Sequence, residues 1–295
     1  MLTLFALLVS GLFTAVIFAL CSLAFTVSYS ATHDFHIAQG AVFAIGGYVT
    51  YACVNDFHLS IPLSLVIAVL VGAGLGVLIE VLLYSRLRRS SGVSLGLFLA
   101  SLGLLTLLTN MFVLIFGVSP VQPNVAYLGN TVRLGLGVNT TVLHIISLVL
   151  AVFVIALIEF LYRRTKLGKV MRAVSDSPYM ARCIGISVPR AYIYAYALAS
   201  GIAALAGGLL AFEIGASSEN AISITLIAIM VVLLTGTGHF VSSFVTAMVV
   251  GLFQSLILIS LPEKWIEVIV YSIFLALILF RPNGIVSKGI RAKGV

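Results

Sequence analysis

Apolar runs with few or no charges, each near the length of about 20 residues that crosses a hydrocarbon layer of roughly 30 Å, follow one another along almost the whole sequence. They are Leu2–Phe25, Phe35–Val54, Ile61–Tyr84, Leu95–Phe116, Val142–Tyr162, Tyr192–Phe212, Ile222–Thr235, Val241–Ser260 and Trp265–Phe280. The second is polar at its start and the seventh is short. Inside a bilayer the backbone must satisfy its own hydrogen bonds, which leaves helices or a closed barrel. Barrel strands are short and alternating, whereas these runs are continuously apolar, so helices are expected. Only 8% of the residues are charged against about 25% in soluble domains. The sequence therefore predicts an all-α integral membrane protein, a polytopic bundle of about eight to nine transmembrane helices in a single domain over residues 1–295. The first run has no basic leader, is too long for a signal peptide and is followed by no A-x-A site, so it reads as a retained helix. Three cysteines are an odd number, and Cys21 and Cys53 lie inside apolar runs. Their spacing fits neither a disulfide framework nor a metal site, which leaves small packing residues.

Charge orients the bundle. All Lys and Arg except Arg133 and Lys264 fall in three regions: Arg86, Arg88 and Arg89; Arg163 to Arg190; and Arg281, Lys288, Arg291 and Lys293. Nine crossings put these regions on one side, which the positive-inside rule makes the cytoplasm. The N-terminus is then outside and the C-terminus cytoplasmic. The net charge of +7 is mainly this topological signal.

The longest cytoplasmic loop, "RRTKLGKVMRAVSDSPYMARCIGISVPR" (163–190), reads as two short helices. Ser175 or Asp176 is the expected N-cap of the second, with Pro178 early in it. Met180, Ala181 and Ile184 would give that helix a small apolar face beside Arg182. A solvated loop held to headgroups by its basic residues and a docking helix for a cytoplasmic partner both fit.

Several chemistries are excluded. There is no G-x-x-x-x-G-K-[ST], so no P-loop; there is also no H-E-x-x-H, no G-x-S-x-G and no paired-Asp motif. Glu80, Glu159 and Glu213 lie near run ends and the other acidic groups mostly in loops, so no ionisable ladder deep in the bundle is expected. Uncharged polar groups are better represented: Gln39, Asn110, Thr225 and Gln254 sit within runs, where each serves interhelical hydrogen bonding at about 1 kcal/mol or less. The second run is denser. His33, Asp34, His36 and Gln39 are followed by Gly40, Gly46 and Gly47, which implies close backbone approach or a broken helix facing a cavity. Gly236, Gly238 and His239 interrupt the chain again between the seventh and eighth runs. Gly-interrupted segments in both halves of a membrane chain point to a transport pathway, without naming the cargo.

These residues carry a resemblance. "FHIAQGAVFAIGGYV" (35–49) resembles the N-F-A-[HQ]-G-x5-G-x-Y signature of the branched-chain amino acid (Liv-type) ABC permeases, matching at Ala38, Gln39, Gly40, Gly46 and Tyr48. The segment 168–209 is similar to that family's cytoplasmic loop and following helix at Gly168, Arg172, Ala173, Ala181, Gly185, Ala203, Ala206 and Gly207. "TGTGHFVSSFVTAMVVG" resembles GGxGSxxGAxxG, and "FRPNGI" resembles RPxGL. The likeness runs from about residue 10 to 287. His36 stands where the family usually has Asn, and Thr235, Ser242 and Thr246 replace glycines, which changes polarity and clearance.

The resemblance implies the permease subunit of an ABC importer in the bacterial inner membrane, moving a small polar solute: a branched-chain or other amino acid first, urea or a short amide next. It implies a second homologous permease subunit, cytoplasmic ATP-binding subunits docked on the 163–190 loop, and an extracytoplasmic solute-binding protein. The chain itself would hold no cofactor or metal, ATP being bound by its partners, and would not be an enzyme. His36, Gln39, Gly40, Gly46 and Asn110 are the implied pathway residues, and Ser175, Asp176, Met180, Ala181, Arg182 and Gly185 the implied ATPase-coupling residues. Gly201, Ala204, Gly207 and Gly208 are small enough for close helix approach, within this chain or against a second one. The alternatives are an ion-driven carrier or channel for a small solute, and a membrane enzyme or receptor without a transport role.

Overall fold

The computed structural model describes residues 2–88, 93–124, 131–133, 139–236, 239–257 and 265–280. Each apolar run is a helix: α1 (Leu2–Thr32), α2 (Gln39–Asn55), α3 (Ile61–Ile79), α5 (Val93–Phe116), α6 (Val142–Arg164), α9 (Val188–Ile214), α10 (Ser218–Thr235), α11 (Phe240–Ile257) and α12 (Ile266–Phe280). A π-turn at Glu80–Tyr84 joins α3 to the short α4 (Ser85–Leu87). α7 (Lys166–Asp176) and α8 (Pro178–Cys183) occupy the basic loop. The sequence did not foreshadow one element, an antiparallel hairpin of β1 (Thr131–Arg133) and β2 (Asn139–Thr141) with Val132 opposite Thr140. Three-residue strands are too short to carry a periodic signal.

Helix limits overrun the apolar runs for a physical reason. α1 continues past Phe25 because Ser28, Ser30 and Thr32 turn their hydroxyls back onto the carbonyls of Phe25, Val27 and Ser28. Hydroxyls satisfied inside their own helix add little polar cost at depth. Among the described residues, seven helices are long and apolar enough to cross a membrane; α2, with 17 residues, is shorter because residues 35–38, about one turn of its run, are not helical.

α1, α2 and α9 form the centre. The crossing window of α1 is 89% buried and that of α9 78%, against 22% for α5 and 28% for α6, which present apolar faces outward. Glycine sets the spacing: a Cβ on Gly207 would lie 1.8 Å from the Phe43 carbonyl oxygen, and one on Gly46 2.0 Å from that of Ala204. α2 and α9 thus touch backbone to backbone. α3 packs antiparallel on α9 through Gly72 at Ala204 and Gly76 at Ser200, and α11 runs against α1 with Gly251 at Ala15. Of the two roles open to Gly201, Ala204, Gly207 and Gly208, each serves internal packing: against Val69, Gly46 and Gly72, Phe43, and Thr50 respectively.

The bundle has two distinct ends. At the basic end, Tyr162 Oη lies 2.8 Å from Ser30 Oγ, and Arg172 donates to the Tyr162 carbonyl. At the other, Gln122 Nε2 donates to the carbonyls of Phe212 (2.9 Å) and Glu213 (3.1 Å), and the Asn124 amide to Asn55 Oδ1 (2.9 Å). α2 therefore runs from one end to the other, with no return inside the bundle.

Capping in the basic loop differs from expectation. Thr165 caps α7 by accepting from the Gly168 amide, and Ser177 caps α8 by accepting from the Met180 amide with Pro178 at its first turn. Ser175 and Asp176, expected as caps, are instead the last residues of α7. The extended backbone that a cap requires falls on the residue before proline, which disfavours helical dihedrals. Gly238, the closing "FRPNGI" segment from Arg281 onward, Lys288, Arg291, Lys293, Arg89, Glu263 and Lys264 lie outside the described residues.

Candidate functional site

α1 is followed by His33, whose φ of 58° turns the chain into the non-helical lead-in to α2. Along it the polar cluster read from sequence turns inward. His36 is fully buried, its Nδ1 2.7 Å from Tyr84 Oη and its ring edge-on to Tyr84 and Tyr196. Gln39 accepts from Ser28 Oγ and donates to the Ala199 carbonyl, both at 3.3 Å. Gly40 lies so close to α10 that a Cβ would be 2.1 Å from Thr225 Oγ1 and 2.6 Å from the Ala221 carbonyl oxygen. Beside Gln39, Cys21, Phe25 and Thr225 line a cavity of about 10 Å³, room for one water at most. His36, Gln39, Gly40 and Gly46 are thus all packed against protein but on different neighbours: His36 on Tyr84 and Tyr196, Gln39 between α1 and α9, Gly40 on α10 and Gly46 on α9. Asn110 is apart from them: it is exposed on the outer face of α5 beside exposed Gly103 and Thr106, and donates to the Thr106 carbonyl at 2.7 Å.

Sequence reasoning missed the charged group that anchors this lead-in. Arg88 donates through Nε (3.1 Å) and Nη2 (2.9 Å) to Asp34 Oδ2, and through Nη1 to Glu80 Oε1 (2.5 Å). Its guanidinium sits 4.3 Å over the Tyr192 ring, and Nη2 also reaches Tyr196 Oη at 3.3 Å. On sequence alone Arg88 is only a topological charge. Glu80, read as lying near a run end, is 1% exposed, so an ionisable side chain does enter the bundle. The π-turn explains how it gets there. On a regular helix eight residues advance about 80° around the axis beyond whole turns, whereas a wider turn slows that rotation and leaves Glu80, Tyr84 and Arg88 facing one region. The four-residue spacing of those three residues was the available signal.

The basic loop folds onto the same end. Val174 of α7 and Ala181 of α8 form a buried cluster with Val188, Ala191 and Tyr192 at the start of α9. Ala181 is therefore buried and does not share the outward face expected for it with Met180 and Ile184. Residues one apart on a helix point about 100° away from each other, so Ala181 packs inward while Tyr179, Met180 and Ile184 are 72%, 62% and 73% exposed. Arg182 and Asp176 are exposed, Ser175 half-buried, and exposed Gly185 turns the chain with φ of 83°.

Comparison with known proteins agrees with the motifs. Residues 7–279 match the family model described as "Branched-chain amino acid transport system / permease component". The chain is 26% identical over 281 residues, 90% of its own length and 87% of the relative's, to the "Probable branched-chain amino acid transport permease protein LivH" of Methanocaldococcus jannaschii. It is 22% identical, over 95% of both chains, to the high-affinity branched-chain amino acid transport system permease protein BraD of Pseudomonas aeruginosa. A shorter likeness, 32% over 43% of this chain and 36% of the relative, is to the fructose import permease protein FrcC of Rhizobium meliloti. No solved structure matches significantly. A model spanning nearly the whole chain, together with a polytopic helical bundle, makes this a multi-pass membrane transport subunit and not an enzyme, and the chain belongs to the permease-component family of branched-chain amino acid transport systems.

Proposed function

We propose that the chain is the permease subunit of an ABC importer in the inner membrane, that it crosses nine times with the N-terminus outside and the C-terminus in the cytoplasm, and that it moves a branched-chain amino acid. Urea, short amides and sugars are lesser candidates, the last because of the partial likeness to a fructose permease. Cytoplasmic ATP-binding subunits would dock on α7 and α8, an extracytoplasmic binding protein would deliver solute to the Gln122 end, and a second permease would complete the conduit. The chain has no P-loop of its own, so in this reading ATP-driven work comes from a neighbour.

The observation that carries this reading is the short helix α8. Its inner residue Ala181 is anchored on α9 while Tyr179, Met180 and Ile184 stand exposed beside Arg182. Exposed apolar side chains gathered on a basic-end loop suit a protein partner better than water. The tight packing around His36, Gln39, Gly40 and Gly46 supports a conduit that opens between this chain and its partner permease, where exposed Asn110 and Thr106 offer hydrogen-bonding groups to a polar solute.

The test is co-purification with the cognate ATPase subunits and uptake of L-leucine into vesicles holding the assembled complex. ATP-dependent uptake is expected only when ATPase, both permeases and binding protein are present. Accumulation by this chain alone would establish an ion-driven carrier instead.

A further inference from the structure

The group centred on Arg88 is over-supplied with carboxylate. One guanidinium faces Asp34 from the lead-in and Glu80 from the π-turn, and the second Glu80 oxygen, Oε2, is buried with no hydrogen-bond partner among the described residues. Arg88 spends two of its nitrogens on a single oxygen of Asp34 and one on Glu80. A forked pair engaging both Glu80 oxygens through Nη1 and Nη2 would satisfy the buried acid fully and would take from Asp34 the shorter of its two contacts, leaving only the one from Nε. Asp34 is 19% exposed at its side chain, against 2% for Glu80. Water can therefore take over for Asp34, as it cannot for Glu80. The geometry is that of an arginine with two alternative partners, one of which keeps a buried second acceptor within the same group.

The same arginine joins three elements that the transport cycle has to coordinate. Tyr192, under the guanidinium, belongs to the buried cluster that ties α7 and α8 to the start of α9. Asp34 lies on the lead-in that carries His36 and Gln39, and Glu80 and Tyr84 on the π-turn, where Tyr84 holds His36. Displacement of α8 would move Tyr192, change the bed on which the guanidinium rests, and shift its choice between the two acids. π-turns occur frequently at functional sites, and this one supplies the second acceptor.

Resting on the importer reading above, we propose that Arg88 is a positioning residue that couples the docking helices to the α2 lead-in by exchanging Asp34 for the second oxygen of Glu80. With Asp34 held by both nitrogens, the lead-in is pinned; with Nη2 withdrawn to Glu80 and only Nε left, it is freer to move. Both sites then bias one two-state element, as coupling between distant sites requires.

The experiment uses the chain assembled with its partner permease and ATPase subunits, in a Cys183→Ser background that leaves buried Cys21 and Cys53 in place. A nitroxide is attached either at Ile184→Cys on the docking side or at His33→Cys on the lead-in, and its mobility is read with and without ATP. In the otherwise unmodified complex both labels respond to ATP. Asp34→Asn frees the lead-in, so the His33 label is mobile even without nucleotide. Glu80→Gln removes the alternative partner, so that label stays immobile with ATP while the Ile184 label still responds. Each variant lowers L-leucine uptake by about 10-fold or more while ATP hydrolysis persists. Opposite shifts at His33 are what a merely structural ion pair does not produce. Unchanged responses, identical responses in the two variants, or loss of assembly in both overturn the proposal. A silent Ile184 label in the unmodified complex overturns the docking reading of α8, and this proposal with it.

Discussion

Replacing Gly46 with alanine adds one methyl group at the closest approach of α2 and α9. The new Cβ would lie 2.0 Å from the Ala204 carbonyl oxygen, 2.5 Å from its Cα and 2.6 Å from its carbonyl carbon. All three are backbone atoms, so no side chain can swing aside. Ordinary carbon contacts need about 3.5–4.0 Å, and the helices must part by roughly 1–1.5 Å, loosening the contacts on either side. Overpacking a tight interior costs about 1–3 kcal/mol, and a backbone clash belongs at the upper end. Alanine recovers about 1 kcal/mol of helix propensity relative to glycine, which leaves a net loss of about 2 kcal/mol, or roughly 30-fold in the folded-to-unfolded ratio. Gly201→Ala is the control: its Cβ would meet the Val69 Cγ1 methyl at 3.3 Å, a side-chain tip that can yield, so the propensity gain should roughly cancel the contact and leave stability within about 0.5 kcal/mol. The assay is SDS-induced unfolding of both variants in detergent micelles, followed by far-ultraviolet circular dichroism. Equal midpoints for Gly46→Ala and Gly201→Ala would refute the claim that backbone contact of α2 with α9 sets the spacing of the centre.

Other perturbations probe the remaining parts. Arg182→Glu with Gly185→Glu reverses a charge and strains a residue at φ 83°; loss of ATPase co-purification with normal membrane insertion is expected, and unchanged complex yield would displace the docking element from α8. Ser177→Ala removes the cap of α8 at a cost of about 1 kcal/mol, which should weaken ATPase association several-fold without unfolding the bundle, as read by a pull-down titration. Gly40→Leu drives a side chain into Thr225 and the Ala221 carbonyl and should block leucine uptake although it makes the segment more apolar; normal uptake would show that α10 can give way there. Asn110→Leu leaves packing intact because the side chain is exposed, so uptake should fall with unchanged thermal stability if α5 faces the conduit.

Several particulars were legible before any coordinates. The nine apolar runs coincide with helices because burial in hydrocarbon is a sum over residues, and a sum can be read along a window. The helix pair in the basic loop was legible for a similar reason: Pro178 and the small polar residues before it act on their own backbone, and only the capping position was misjudged, from Ser175 or Asp176 to Ser177. The cluster His36, Gln39 and Gly40 was recognisable as unusual, although its packing against Tyr84, Ala199 and Thr225 was not. Periodicity was of little help inside the runs. A helix that is apolar on every side gives no hint of which face meets protein and which meets lipid, so α1, the most buried of the spans, reads much like α5, the least.

Sequence alone thus determined the solvent, the helical class, the basic end and the loop that folds there, all of which depend on one residue or on its near neighbours. Which separated residues meet was left to the tertiary structure: Arg88 with Asp34 and Glu80, Gly46 with Ala204, Ala181 turned inward, Asn110 turned out. Pairing energies depend on distance and direction between elements far apart in the chain, and a single π-turn at Glu80 is enough to change which side chains share a face.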